Sequence, residues 1–396
     1  MTAPSGEESE LERCVGDTRS FLRDHWASWP LRREGGRPFD DLLSLADVDH
    51  LLTGASLRLP AFRLVKDGAT LPTSGYTKSG RTGSQPVSGM ADPPRILERF
   101  REGATIVLQG MHRYWPPLAR FCRELEVALG HPTQVNAYVT PPGSRGLAVH
   151  EDSHDVFVLQ AFGRKHWEVW ETRRPAADGE APIEPGKRPV ISAEMHPGDA
   201  LYMPRRTPHA ARTQATLSGH LTVGIPATTW RELLEGVVGK VLEATALDEP
   251  LPAGYLRDPA GLAAGVEARL AELQRLLEKA DLDEVADAAV ERFLTSRPSL
   301  LRGGLVDLTR LPSLGDLSAV RRRAGSVCEL RIRRGRLTVL LGDRALRMPA
   351  RCEPLMRAVA EREAFTVRDL EPYLDQESRL VLVRRLVREG LLEVLG

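Results

Sequence analysis

The sequence predicts an α+β chain in which helical segments at both ends flank a central block of short strands. Three observations carry this. Between Gln134 and Ile225, short β-type apolar runs are broken repeatedly by Gly and Pro, as in a double-stranded β-helix or sandwich. From Thr228 to Leu294, Leu, Val and Ala recur at helical spacing with Glu, Lys and Arg on the other face. Residues Glu353–Gly396 then give three short helical segments and a strand-like end, an order that resembles a winged helix.

Length and composition set the bounds. With 396 residues and 42% hydrophobic content, the chain has room for about two or three domains with real cores. Lys plus Arg (54) equals Asp plus Glu (54), so no overall charge draws it to nucleic acid or an anionic membrane. Cys14, Cys122, Cys328 and Cys352 show no CxxC or disulfide-like spacing and read as the reduced thiols of a cytoplasmic protein. The acidic, polar start from Met1 to Glu12 is unlike a secretory signal. No run of about 18 apolar residues is present, so no membrane span is expected.

In chain order, residues 1 to 12 read as disordered. A helix is predicted from Cys14 to Pro30, with Phe21, Leu22, His25 and Trp26 at helical spacing, and another over Phe39–Leu52. Leu57–Leu71 alternates weakly, as a strand pair turning at Asp67-Gly68 would. Residues 72–92, rich in Thr, Ser, Gly and Pro, read as a flexible loop. A helix over Pro94–Glu102 leads into a strand, Ala104–Leu108. Trp115–Leu129 is a clear amphipathic helix with Pro in its first turn. The β block comprises Gln134–Val139, Leu147–Val149, Val156–Phe162, Lys165–Glu171, Val190–Met195, Ala200–Met203 and His220–Ile225. After the helices, a hairpin is predicted over Val327–Ile332 and Leu337–Leu341 around Arg334-Gly335. Thr366 is the expected N-cap of the middle C-terminal helix, with Asp369 three residues later. No internal repeat is present.

The chemistry centres on Val149-His150-Glu151-Asp152. On an extended segment residues two apart share a face, so His150 and Asp152 can converge on one ion. His209 is the third candidate. Two His and one carboxylate make the facial triad of non-haem Fe(II) oxygenases, with positions open for co-substrate and O2. A His-x-Asp pair alone is common by chance, and three neighbouring features weigh against chance. Lys165 shares a face with Trp167 and Val169 after an expected turn at Phe162-Gly163-Arg164. An ammonium on an apolar face needs an anion, such as the distal carboxylate of 2-oxoglutarate. The alternative is a surface hairpin with Lys165 at its solvated end, and the residues alone leave both open. His196–Pro204 forms a turn and strand leading to His209, structural in either case. Asn136, in Asn136-Ala137-Tyr138, either bonds a co-substrate or satisfies a strand end.

Taken together, NAYVTPPGSRGLAVHEDSHDVFVLQAFGRKHWEVW, PGDALYMPRRTPHAA and HLTVGI resemble the Jumonji-C oxygenases of the ribosomal-oxygenase subgroup. The resemblance is firm over residues 95 to 227 and looser beyond. It implies a double-stranded β-helix (cupin-like) core at 95–227, preceded by an extension at 1–94. It further implies a helical dimerisation region at 228–304 and a winged-helix-like domain at 305–396. It assigns His150, Asp152 and His209 as Fe(II) ligands, Lys165 as the partner of the distal 2-oxoglutarate carboxylate, and Asn136 and Thr222 as co-substrate contacts. Glu151 departs from the aromatic expected between the ligands, which bears on the substrate-side pocket. His154-Asp155 is read as supporting structure at the start of a strand.

The implied reaction couples decarboxylation of 2-oxoglutarate to hydroxylation of an unactivated C–H with O2. The expected substrate is an arginine or histidine side chain of a ribosomal protein. One alternative is a peptide or natural product, its pocket shaped by the 72–92 loop and the Arg174–Arg188 insertion. Another is a non-catalytic binding or regulatory protein. Arg379, Arg384, Arg385 and Arg388 of the last helix lie among acidic residues and read as a solvated face, so DNA binding is not expected. Arg321, Arg322 and Arg323 read as a solvated loop.

Overall fold

The computed structural model describes residues 8–144, 149–171, 188–243 and 249–396. They fall into two compact units, Met1–Ala227 and Thr228–Gly396.

The first unit begins with a helix at Glu10–Val15, which starts within the end of the segment expected to be disordered. Ser9 caps it in a capping box with Glu12. The helix expected over Cys14–Pro30 is instead this helix, a short turn at Thr18–Ser20 and a π-type turn at Phe21–His25. Strand β1 (Leu31–Arg33) follows. The next helix runs Leu45–Thr53 and starts later than its apolar pattern suggests, because Ser44 and Asp47 form its capping box. Strands β2 (Phe62–Lys66) and β3 (Ala69–Thr70) pair across Asp67-Gly68, as expected.

Residues 72–92 correct the expectation of a loop. β4 (Thr77–Thr82) and β5 (Gln85–Ala91) form an antiparallel hairpin closed at Gly83, whose φ is +57°. Buried Tyr76 and Ala91 anchor its base. Most of its strand residues face solvent, so the sequence carries no apolar alternation there.

A helix at Pro93–Arg101 leads into β6 (Thr105–Leu108), and the Pro116–Leu129 helix precedes β7 (Gln134–Thr140). The remaining strands of this unit are β8 (Asp155–Val169), β9 (Ile191–Met195), β10 (Ala200–Met203) and β11 (His209–Ile225). Leu147, Ala148 and residues 172–187, most of the expected insertion, lie outside the described residues. One nine-stranded sheet runs β1-β10-β8-β11-β7-β6-β2-β3, with β9 also on β8. β10 and β2, each next to an end of that order, line one cavity, so the sheet curls on itself.

The expected turn at Phe162–Arg164 is also corrected: β8 passes through it as one strand. Gly163 takes φ +63° and lets the strand bend. A Cβ there would sit 1.7 Å from the Leu217 carbonyl oxygen, so only glycine fits. Nearby, the β8–β11 register slips, with Gly219 opposite Phe162 but His220 opposite Gln160. This bulge reverses the inward parity. Val156 and Val158 line the cavity before it, and Lys165 and Trp167 after it. On the other face, Phe157, Leu159, Leu221 and Val223 join the main core with Phe21, Phe62 and Phe121.

In the second unit, helices span Trp230–Glu243, Pro259–Glu278 and Leu282–Thr295. Strands β12 (Ala319–Arg322), β13 (Glu329–Arg333), β14 (Arg336–Leu340), β15 (Ala345–Pro349), β16 (Ala364–Thr366) and β17 (Leu392–Val394) form two three-stranded sheets, β16-β12-β17 and β13-β14-β15. Thr366 and Asp369 form the expected capping box, and a helix spans Gln376–Arg388. Two basic clusters depart from expectation in part: Arg321, Arg385 and Arg388 are exposed, whereas Arg323 and Arg379 are buried. Arg379 is buried and grips Asp316 through Nε and Nη2 at 2.7 and 2.8 Å. Arg384 donates to the Leu314 carbonyl, and Arg385 pairs with Glu389. Arg323 is likewise buried against Asp307. A buried guanidinium needs such a carboxylate to offset its desolvation.

Candidate metal centre and its cavity

Two chain segments build the centre. His150 and His209 face each other in an isolated antiparallel bridge, with N–H···O distances of 3.1 and 2.9 Å. Asp152 follows two residues later, and its carbonyl accepts the Arg206 N–H at 2.8 Å. Ligand-capable atoms of His150, Asp152 and His209 all lie within 4.8 Å of one another. It is the one such cluster among the described residues.

The surroundings prepare His209 as a ligand. Its Nδ1 lies 2.9 Å from the Thr207 carbonyl, so Nδ1–H donates there and the Nε2 lone pair stays available. Nε2 stands 3.7 Å from Asp152 Oδ2. Burial, then the neighbouring His150, lowers the His209 pKa to about 4. The ring is therefore neutral at physiological pH, as coordination requires. Two imidazoles and a carboxylate suit Fe(II), and the residues present fit that ion.

The cavity holds about 160 Å³. Lys165 reaches it with 4% of its surface exposed, so the solvated-hairpin alternative is excluded. Its Nζ is 3.4 Å from Thr140 Oγ1 and 5.9 Å from the centre of the Trp167 ring. Among the described residues no carboxylate pairs with it, and burial lowers its pKa to about 7. A buried ammonium beside a hydroxyl, in a cavity shared with metal-capable ligands, fits a carboxylate guest. Asn136 and Thr222 stand opposite each other on β7 and β11, and both line the cavity. Asn136 Oδ1 accepts the Gly110 N–H at 2.9 Å, which fixes the amide.

Sequence reasoning missed Thr140, His220 and Arg63 on this wall. His220 is buried, stacked on Tyr138 (5.0 Å between centroids, 4° between planes) and edge-on to Trp167. Its pKa is pushed well down by burial and then by the Lys165 charge. The signal lay in cross-strand register. Once Asn136 faces Thr222, the neighbours two residues along, Tyr138 and His220, must share that face. Asp155, by contrast, is buried but does not line the cavity. Glu151, between His150 and Asp152, is not among the residues that line the cavity.

Known proteins match this chain in sequence and in fold. A JmjC domain family model matches residues 109–233. The bifunctional lysine-specific demethylase and histidyl-hydroxylase NO66 of Aedes aegypti is 28% identical over 228 residues, 54% of this chain and 34% of that protein. Ribosomal oxygenase 1 of Rattus norvegicus is 28% identical over 288 residues, 67% of this chain and 46% of its own length. The chain therefore spans about a third to a half of these relatives. The X-ray structure of E. coli YcfD superposes with TM-score 0.57 at 19% identity, covering 96% of this chain and 99% of that one. YcfD in complex with cobalt and 2-oxoglutarate gives TM-score 0.53 at 19% identity, with 96% and 98% coverage. The fold is the JmjC, cupin-type fold. Residues 109–233 therefore match the JmjC domain in sequence, and the chain matches JmjC-type structures in fold.

Proposed function

We propose that the chain is an Fe(II)- and 2-oxoglutarate-dependent oxygenase that hydroxylates an arginine or histidine side chain of a ribosomal protein. One observation carries the reading: His150, Asp152 and His209 meet within 4.8 Å in a cavity that also holds a buried lysine. Relatives named ribosomal oxygenase and histidyl-hydroxylase support the substrate class.

When bound, Fe(II) supplies O2 activation coupled to decarboxylation of 2-oxoglutarate to succinate and CO2. The chain binds and orients. His150, Asp152 and His209 hold the ion and leave its remaining positions free. Lys165, with Thr140 beside it, pairs with the distal carboxylate of the co-substrate. Asn136 and Thr222 contact the co-substrate, and Val156, Val158 and Trp167 keep water out. Mass spectrometry of ribosomal proteins from cells with and without this protein tests the reading. One peptide lighter by one oxygen in the deficient cells is the expected result. Identical spectra would remove the ribosomal substrate. The free cysteines agree with a reducing cytoplasm, and fractionation of the same cells should recover the protein in the cytoplasmic fraction.

We also infer a homodimer through the 228–304 helices. Trp230 is 79% exposed, Leu256 81% and Leu270 59%, a large apolar surface for a single chain to present. Light scattering is expected to give about twice the 43.7 kDa chain mass. A particle of single-chain mass at micromolar concentration would sink the dimer. No helix of the described residues is long and apolar enough to cross a membrane.

A further inference from the structure

Asp155 begins β8 three residues after Asp152 and is 2% exposed. It is absent from the cavity wall, whereas its neighbours His154 and Val156 line it. A carboxylate buried beside a metal-capable centre but outside its cavity needs a reason, since burial without partners costs several kcal/mol.

Its two oxygens go to two different parts of the chain. Oδ2 accepts the Tyr202 hydroxyl at 2.6 Å, from β10. Oδ1 accepts the Arg205 N–H at 2.8 Å, from the segment joining β10 to β11. That segment serves both other sides of the centre. Its next N–H, on Arg206, donates to the Asp152 carbonyl at 2.8 Å. Its Thr207 carbonyl accepts from the His209 ring at 2.9 Å. Arg206 holds a left-handed φ of +63°, a conformation that costs a non-glycine residue about 1 kcal/mol or more unless its surroundings impose it. Tyr202 is tied in turn to the N-terminal segment. Its oxygen accepts the Ala27 N–H at 2.8 Å, and its ring meets Phe21 edge-on at 4.8 Å.

From this connectivity we infer that Asp155 is a positioning residue for the His150–Asp152–His209 centre. It locks the 204–208 segment against the start of β8 from outside the cavity, so that His209 and Asp152 are held at ligand spacing. Through Tyr202, the same carboxylate makes the N-terminal segment part of the centre's support. The inference rests on the proposed metal role of the triad.

The test is Co(II) titration of the full-length protein, followed by its visible absorption, beside thermal unfolding of the metal-free protein. Asp155→Asn replaces a charged acceptor with a neutral one and turns an N–H2 toward the Tyr202 hydroxyl. Tyr202→Phe removes one arm and keeps the ring. Folded Asp155→Asn is expected to bind Co(II) about 10- to 100-fold more weakly, with an altered absorption band, as for the loss of residues that orient metal ligands. Tyr202→Phe should lose affinity several-fold in the same direction. A wild-type Co(II) Kd and spectrum in either folded variant, with only the melting temperature lowered, overturns the inference and leaves Asp155 a packing residue. If Asp155→Asn does not fold, Tyr202→Phe decides alone. A wild-type chain that takes up no Co(II) overturns the metal assignment, and this inference with it.

Discussion

Asp152→Ala is expected to reduce succinate formation from 2-oxoglutarate by about a thousandfold or more, equivalent to about 4 kcal/mol or more at the transition state. Asp152 supplies the centre's one carboxylate, with its nearest oxygen 3.7 Å from His209 Nε2. Removing it leaves two imidazoles from facing segments and no anionic ligand, a set that binds a hard-to-borderline divalent ion poorly. His150→Ala should act similarly, since His150 is the other partner in the bridge to His209. Succinate measured by NMR with added Fe(II) reads the effect directly. Unchanged succinate in either variant would remove these residues from the metal.

Lys165→Ala is the second large effect, and it should fall on the co-substrate. Breaking a buried charge pair by removing one partner costs about 3–5 kcal/mol, or roughly a hundredfold to several thousandfold in the apparent 2-oxoglutarate requirement. The pH dependence has a definite sign. Burial lowers the Lys165 pKa to about 7, while pairing with a carboxylate requires the ammonium form. Above about pH 7 the binding-competent fraction falls, by up to about tenfold per pH unit, so wild-type affinity should weaken from pH 7 to 9. Lys165→Ala should show a weak and flat profile over that range. An unaltered 2-oxoglutarate requirement in Lys165→Ala would remove Lys165 from its assigned role. A flat wild-type profile would remove only its titration.

Several parts of the fold were legible because they are local. The Asp67-Gly68 and Arg334-Gly335 turns formed as expected, since both need backbone conformations that glycine and its neighbours supply. The Thr366–Asp369 capping box formed because its partners lie three residues apart. The hairpin at residues 77–91 was illegible for the opposite reason. Its strands are mostly solvated, so no alternation marks them, and pairing came from backbone hydrogen bonds that any polar residues can make. The C-terminal arginines misled because charge suggests solvent. Arg379 and Asp316 stand far apart in sequence and meet only in the fold.

The sequence by itself determined the chemistry on offer: a His-x-Asp pair, a distal His209, and a Lys165 that alternates with Trp167. These are matters of residue type and short spacing, which the chain carries before it folds. Tertiary structure decided how they are used. Counting by twos from Val156 and Val158 points Lys165 away from the cavity. The β8–β11 bulge, with Gly163 bending the strand beside it, restores it to that face. The depth that makes Lys165 a buried cation, and the side of the sheet on which Asp155 works, likewise depend on strands distant in sequence. Burial and register are properties of paired strands, and neither exists until the partners have met.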